Sequence, residues 1–241
     1  MVSRANDLPA YRPYTDRIQS QHMLIAIEIG HTMARKPRQQ RAKATVDAIV
    51  EAGFIAMADR GPAGTTTRQI ADIAGVGVGS LYEYFENKED IFTAMSQRFV
   101  TDTIAMIQPQ IPIIVRKPIR EAVMELLSLF RDFLQADEAR YLKCARYAMA
   151  LDFEQYVEPL QKTLSELVTQ YLMHHPETLR IRNIPTMSYI MIHGGIYSVV
   201  RQLCDPTPPI SFDELAAGLA DMVGHYIERE MALAGHDIPA S

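Results

Sequence analysis

The segment from Thr66 to Phe85 constrains the fold of this chain more than any other. It reads TTRQIADIAGVGVGSLYEYF. Thr66 with Gln69 three residues later forms a capping box, which satisfies the free amides at the start of a helix. Gly75 can adopt the left-handed backbone conformation that a tight turn between two helices needs. The segment therefore predicts two short helices joined by a tight turn.

The residues around that turn suit two helices that cross at a steep angle. Val76 is apolar directly after the turn, and Leu81 and Phe85 fall at i and i+4, where both would face inward. The first helix is expected to be apolar on the side that carries Ile70, Ala71, Ile73 and Ala74. Together these positions form a helix-turn-helix signature. The pattern predicts a DNA-binding motif whose second helix runs from about Val78 to Phe85.

Helical periodicity continues on both sides of the motif. Apolar residues at helical spacing follow Pro37 and stop near Gly61, and Asn87 is a good N-cap for a long helix that reaches Pro109. Pro112 and Pro118 frame an expected linker. Further helical patterns cover about 118–135, 137–150, 153–174, 186–204 and 212–233, and no alternating strand pattern competes. We expect an all-α protein with an N-terminal three-helix helix-turn-helix domain and a larger C-terminal helical domain.

The charge distribution helps to divide the chain. The net charge is −5, and the acidic excess lies within residues 91–241, whereas residues 35–43 contain five basic side chains and no acidic one. This basic arm could enter a minor groove or contact phosphates, or it could be a soluble, disordered tether. We expect an N-terminal extension over 1–34, partly disordered or with one extra helix, a DNA-binding domain over 35–87 and an effector-binding and dimerisation domain over 88–241.

Several other classes of protein are disfavoured. Cys144 and Cys204 are far apart and lack a CxxC partner, so neither a disulfide framework nor a zinc site is predicted. The apolar stretch 184–200 contains polar side chains and is interpreted as a buried helix rather than a membrane span. The N-terminus lacks a secretory signal pattern, which fits a cytoplasmic protein. Neither HExxH nor GxSxG occurs, so we expect no catalytic residue, metal or cofactor, and an enzyme is the alternative from another class.

The basic arm, the run T-T-T-R-Q-I-A-D-I-A-G-V and the run G-S-L-Y-E-Y-F-E-N-K-E-D-I together resemble the TetR family of bacterial regulators. The resemblance is close over residues 38–100, and beyond them only the number and lengths of the helices agree. It implies a homodimer that represses genes and leaves its double-stranded DNA operator when a small-molecule effector enters a pocket in the C-terminal domain. A constitutive regulator or activator without an effector is the alternative.

The resemblance also indicates which residues contact DNA. Thr67 and Lys88 match phosphate-contacting positions, and Tyr82 and Tyr84 match positions that reach the backbone or bases. Where the family often has a serine and a lysine, this chain has Gly77 and Val78. Val78 could contact a thymine methyl group or merely pack under the turn. The expected DNA-binding residues are Arg38, Thr66, Thr67, Arg68, Gly77, Val78, Gly79, Ser80, Tyr82, Glu83, Tyr84 and Lys88.

The C-terminal domain contains many methionine and aromatic side chains, which can line an apolar pocket or simply form the core. The candidate pocket residues are Phe99, Phe133, Tyr147, Met149, Tyr156, Tyr189 and His193. The 186–204 helix is apolar on nearly every face, so it must be covered on both sides. Burial in the core of a monomer would provide this cover, and so would pairing with a second copy in a dimer. The dimer interpretation predicts interface positions Met187, Met191, Gly195, Leu215, Leu219, Met222 and Tyr226.

Overall fold

The computed structural model describes residues 35–147 and 156–236, and over these residues the chain is helical without a β-strand. The predictions for residues 1–34 and for Met149 lie outside the described residues. The expected all-α class is confirmed. The helices are α1 (Arg35–Gly64), α2 (Thr67–Ala74), α3 (Val78–Tyr82), α4 (Lys88–Ile107), α5 (Ile111–Ile114), α6 (Ile119–Ala145), α7 (Glu158–His174), α8 (Ile184–Cys204) and α9 (Phe212–His236).

Helix α1 begins and ends close to the expected positions. Its backbone is helical from Arg35, two residues before Pro37. The helix breaks at Gly61, which has φ 68° and ψ 173°. A Cβ atom at Gly61 would lie only 3.0 Å from the Tyr147 hydroxyl. Glycine is therefore required here both for its backbone conformation and for its small size.

The helix-turn-helix has its own hydrophobic core. Four of its side chains are inaccessible to solvent: Ile49 and Met57 of α1, Ile70 of α2 and Leu81 of α3. Ile91, Phe92 and Met95 of α4 belong to the same core. The beginning of α4 therefore packs as part of the helix-turn-helix, although the predicted domain boundary lay at residue 87.

A second core follows further along the chain. Val100 and Ile107 of α4 pack with α5, α6 and α7 around Ile114, Ala122 and Leu167. The stretch between Pro112 and Pro118 was expected to be only a linker, but Ile111–Ile114 form the short helix α5. Ile111 and Ile114 are buried, so the proline-rich connection contributes to the core.

Helices α8 and α9 both pack against α6. The backbone of α6 is interrupted at residues 136–139, where Asp137, Glu138 and Ala139 have positive φ angles. This interruption confirms the predicted helix boundary near residue 135. Helix α9 packs along α6 and is joined to it by ion pairs from Arg120 to Glu228 and from Arg131 to Asp213. Helix α8 packs against α6, α7 and α9.

Candidate nucleic-acid interface and ligand cavity

The start of α2 is capped as the sequence predicts. Thr66 has an extended backbone (φ −123°, ψ 152°), and its hydroxyl accepts a 3.2 Å hydrogen bond from the Gln69 amide. Ile70 and Ala71 are fully buried, which fits the expected apolar side of this helix. The prediction for Ile73 is wrong, because 41% of this residue is exposed. An eight-residue helix can turn only a narrow stripe toward the core, and Ile73 lies outside it.

The turn between α2 and α3 has the predicted left-handed glycine. Gly75 has φ 68° and ψ 28°, and its amide donates to the Asp72 carbonyl. The Val76 amide donates to the Ala71 carbonyl at 3.0 Å. The side chains of Val76 and Val78 are half-buried against the helix-turn-helix core. This position of Val78 supports the packing interpretation over a purely base-directed one.

Helix α3 carries an exposed polar surface on a buried anchor. Leu81 is fully buried and Phe85 is 8% exposed. Burial of one such side chain contributes about 1.5–3 kcal/mol, so the two residues fix the orientation of the helix firmly. The helix ends at Tyr82, earlier than the predicted Phe85, because Glu83 and Tyr84 form a tighter turn. The exposed residues around it are Gly77, Gly79, Ser80, Tyr82, Glu83 and Tyr84.

Thr67 and Tyr82 link the beginning of α2 to the end of α3. Their hydroxyl oxygens lie 3.1 Å apart, and either group can donate the hydrogen bond. Tyr82 is 51% exposed, and Arg68 beside Thr67 is exposed as well. Both helices therefore present hydroxyl groups on one accessible surface, and such groups can donate hydrogen bonds to phosphate oxygens.

Lys88 occupies a more enclosed position than a free surface lysine. Its amine donates a 3.2 Å hydrogen bond to the Pro62 carbonyl and lies 5.9 Å from the centre of the Phe92 ring. Asn87 caps the same helix by accepting from the Asp90 amide at 2.9 Å. Lys88 thus joins the end of α1 to the start of α4. Arg38 lies within α1, but its side chain is outside those described.

A cavity of about 290 Å³ lies in the C-terminal part of the chain. It is lined mainly by one apolar stripe from each of α4, α6, α7, α8 and α9. Phe99 of α4 lines it and also packs against the helix-turn-helix core. Its volume lies near the lower end of ligand sites, which span roughly 300–1,000 Å³.

Residues 49–95 match the family model of bacterial regulatory proteins, tetR family. The match starts within α1, includes the whole helix-turn-helix and ends within α4. The fold agrees over a much longer stretch. FadR from Bacillus halodurans, a fatty acid degradation regulator, has a TM-score of 0.58 and 17% identity, with 74% of this chain and 93% of that chain covered.

Two further solved structures share the fold. A TetR family transcription regulator from Marinobacter aquaeolei has a TM-score of 0.51 and 21% identity, covering 78% of this chain and 97% of its own. RolR in complex with resorcinol has a TM-score of 0.55 and 17% identity, covering 84% and 98% respectively. The chain thus contains a segment that matches the tetR family model and shares its fold with a solved TetR family regulator.

Of the six candidate pocket residues that the structure describes, only Phe99 is found in the cavity wall. Phe133 instead packs against the Tyr141 ring at 5.0 Å, and Tyr147 packs under Gly61. The Tyr156 hydroxyl donates to Thr93, outside the wall. Aromatic residues were chosen for their chemistry, whereas position on the inward stripe of a helix decides which residues line the space.

Tyr189 and His193 also lie outside the cavity wall. Tyr189 is 65% exposed, and its ring lies 4.0 Å from that of His193 on the outer side of α8. His193 Nδ1 is 3.2 Å from Gln161 Nε2, so this half-buried histidine is hydrogen-bonded to the neighbouring helix α7. The expected pocket role of both residues is therefore not supported by their location.

Most of the predicted dimer positions face the cavity instead. Residues found in its wall are Met187, Met191, Gly195, Leu219 and Tyr226. Leu215 is half-buried outside the wall, and Met222 is 48% exposed. Because α8 is apolar on nearly every face, the sequence could not distinguish its inward stripe from its outward one. The spacing 184, 187, 188, 191, 192 and 195 is the signal that identifies the inward stripe.

The outer surface of these two helices is nevertheless apolar. Tyr189, Ile190 and Tyr197 of α8 are each more than half exposed, and Met222 of α9 is nearly so. We call these four residues the outer apolar face. Among the described residues, no helix is long and apolar enough to cross a membrane, and no group of three His, Cys, Asp or Glu residues could hold a metal ion.

Proposed function

We propose that this protein is a homodimeric transcriptional repressor that leaves its operator when a small apolar or amphipathic molecule occupies the C-terminal cavity. The position of α4 carries the proposal. Its first turns pack in the helix-turn-helix core through Ile91 and Met95, and its later turns line the cavity through Phe99, Thr103 and Ile107. A ligand that shifts this helix acts directly on the element against which the DNA-binding helices pack.

The proposed DNA surface lies within residues 35–87 and the start of α4. Hydroxyl and basic groups suit phosphate contacts, and these are supplied by the half-buried Thr67 and the exposed Thr66, Arg68, Tyr82 and Tyr84. The proposed base-edge contacts come from Gly77, Val78, Gly79, Ser80 and Glu83, with Arg38 in the basic arm. An ammonium group has three donors, so the bond from Lys88 to Pro62 leaves two that a phosphate can use.

Dimer formation is proposed through the outer apolar face, with a second copy of this chain as its partner. Helix-turn-helix proteins read two half-sites about one helical turn apart, and a two-fold dimer supplies two recognition helices. Burial of exposed side chains such as Ile190 and Tyr197 against a second copy removes their apolar surface from water, which stabilises the dimer. Of the interface positions predicted from the sequence, Met222 belongs to this face, and we place Leu215 at its edge.

The oligomeric state can be tested with matched variants. Ile190→Asp is expected to convert a dimer to a monomer in light scattering coupled to gel filtration, because the charge would be buried at the interface. Ile113→Asp is the control, since Ile113 is 52% exposed on α5 and is not part of the outer apolar face. A dimer that withstands Ile190→Asp but not Ile113→Asp would assign the interface elsewhere.

The proposal as a whole is tested by selecting bound duplexes from a random DNA library. The salt dependence of affinity for a selected duplex is then measured. Arg68→Ala is expected to reduce the slope by about 1.8, because each of the two protomers loses one phosphate contact worth about 0.9, whereas Lys162→Ala, at an exposed position of α7, leaves it unchanged. Selection of no duplex would refute the DNA-binding proposal.

The effector part of the proposal has its own readout. RolR holds resorcinol in its solved structure, and this chain has a cavity in the same fold. Compounds that bind the cavity are expected to release the selected duplex in a gel-shift titration. A protein that keeps its duplex at saturating concentrations of every bound compound would be a constitutive regulator, which is the alternative function.

A further inference from the structure

The chemistry of the cavity wall restricts the ligand more than its volume does. None of the lining residues is charged, and the wall consists almost entirely of aliphatic and aromatic carbon. Apart from the backbone and two methionine sulfurs, the polar groups in the wall are four hydroxyls. These belong to Thr103, Tyr171, Ser188 and Tyr226.

Three of these hydroxyls are already bonded within the protein. Thr103 donates to the Phe99 carbonyl at 2.8 Å, Tyr171 to the Lys117 carbonyl at 3.3 Å, and Tyr226 to the Arg182 carbonyl at 3.2 Å. The Ser188 hydroxyl has no hydrogen-bond partner among the residues that the structure describes. It is therefore the one side-chain group of the wall with its full hydrogen-bonding capacity open to a ligand.

The basic side chains closest in sequence to the wall segment of α6 do not offer a free positive charge. Lys117 donates to Glu125 at 2.8 Å. Arg120 binds Asp221 and Glu228, both on α9. Their charges are paired with neighbouring carboxylates, and no lining residue is charged, so a ligand anion inside the cavity meets no cation in the wall. A buried charge without a partner is strongly disfavoured.

The wall extends along several turns of two helices. On α8 the lining stripe runs from Ile184 to Val200, and on α7 it runs from Leu160 to Leu172. At 1.5 Å per residue these stripes span roughly 24 Å and roughly 18 Å. A volume of about 290 Å³ distributed along such a length suits a narrow, extended molecule better than a compact one.

We propose that the effector is an uncharged, elongated molecule with a hydrocarbon body and at most one polar group, which the Ser188 hydroxyl receives. The inference rests on the proposed effector function and names the chemical class of ligand. It disfavours carboxylates and ammonium ions of the same length, because the wall has no group to compensate either charge. The cavity wall thus disfavours a charged ligand and favours an apolar one.

Fluorescence competition can test this selectivity. The probe is N-phenyl-1-naphthylamine, a neutral dye that fluoresces in apolar sites, and its competitors are 1-decanol, decanoate and decylammonium below their aggregation limits. All three share one chain and differ only in the head group. We expect 1-decanol to displace the probe at concentrations at least about tenfold lower than either ion, since only the ions must lose charge solvation.

Two variants locate the binding. Gly195→Leu is expected to weaken binding of the probe at least about tenfold, because the leucine side chain fills part of the cavity. The backbone can accept this change, since a Cβ atom at position 195 meets no heavy atom within 4 Å. Ala105→Leu on the exposed side of α4 is its control. Ser188→Ala is expected to weaken binding of 1-decanol about fivefold. Its control is Ser165→Ala, at an exposed position of α7, which is expected to leave binding unchanged.

Each outcome has a distinct meaning. If decanoate or decylammonium competes as well as 1-decanol, and Gly195→Leu blocks it, the cavity binds ligands but the uncharged class is refuted. If Ser188→Ala leaves 1-decanol unaffected, the assignment of Ser188 is refuted. If the probe and all three competitors fail to bind saturably, the effector function falls together with this inference.

Discussion

The hydroxyl of Tyr141 donates a 2.6 Å hydrogen bond to the carboxylate of Asp102. Its ring packs edge-on against Phe54 of α1 at 4.9 Å and against Phe99 of α4 at 5.3 Å. Asp102 also accepts from Arg98 at 2.9 Å. Tyr141 thus holds together helices from the helix-turn-helix core and from the cavity wall, at the point where the proposed signal passes between them.

Removal of that hydroxyl is expected to be costly. Tyr141→Phe keeps the ring packing and loses a hydrogen bond to a charged group, so the free energy of unfolding should fall by about 1.5–3 kcal/mol in urea titrations. Tyr156→Phe is the control, because its hydroxyl bonds the neutral Thr93 hydroxyl at 3.2 Å. Its loss should be only about 0.5–1.5 kcal/mol. Equal losses in the two variants would contradict a special contribution from Asp102.

Alkaline pH is expected to destabilise the fold. Burial raises the pKa of Tyr171 from 10.0 to about 12 and that of the Cys144 thiol from 9.0 to about 12. The folded state therefore retains these protons where the unfolded state has lost them, and stability falls as pH rises from the unfolded value through the folded one. The effect should begin near 9.0 for Cys144 and near 10.0 for Tyr171.

The measurement for that prediction is the urea midpoint as a function of pH. Tyr171→Phe cannot ionise at this position, so its midpoint should decline less steeply above about pH 10 than that of the unaltered protein. Glu214 offers the contrast, since hydrogen bonds from Ser211 lower its pKa and its contribution is lost only at acid pH. Parallel alkaline curves for Tyr171→Phe and the unaltered protein would count against the role of Tyr171.

The hydroxyl pair of Thr67 and Tyr82 should act as a unit in DNA binding. Thr67→Val and Tyr82→Phe each remove one side of the 3.1 Å contact and one donor for phosphate. Each is expected to weaken a selected duplex about tenfold, and the double variant should be weaker by less than the product of the two, because contacting residues couple. A fully multiplicative effect in a binding titration would show that the two hydroxyls act independently.

Gly224 is expected to be essential for the packing of α9 on α6. A Cβ atom there would lie 2.7 Å from Arg120 Cζ and 2.8 Å from its Cγ, and Arg120 is held by Asp221 and Glu228. Gly224→Ala should lower the free energy of unfolding by about 1–3 kcal/mol through overpacking. Gly218→Ala, exposed on the same helix with no atom within 4 Å, should instead gain about 0.5–1 kcal/mol from helix propensity. Urea unfolding of both variants gives the comparison.

Local chemistry explains why so much of the helix-turn-helix could be predicted. The Thr66 cap, the left-handed Gly75 and the buried pair Leu81 and Phe85 all depend on residues close together in the chain. Such interactions are specified by short sequence patterns. Ile73 was misassigned because helical spacing gives the period of a stripe but not its exact width.

The cavity and the outer apolar face required the tertiary structure. Phe133 and Tyr189 are suitable pocket residues by composition, but one packs in an aromatic cluster and the other is 65% exposed. Met191 and Gly195 were assigned to a dimer seam and instead line the cavity. The angular position of α8 about its axis decides between these roles, and only its packing against α6, α7 and α9 fixes that angle.

The sequence by itself determined the all-α class, the helix-turn-helix and the boundaries of most helices, because capping, turn chemistry and periodicity act over a few residues. The tertiary structure decided which stripe of each C-terminal helix encloses the cavity and how Phe99 joins it to the helix-turn-helix core. It also placed Lys88 against Pro62, 26 residues earlier in the chain. Contacts between distant residues depend on how whole helices pack, and no local pattern encodes that geometry.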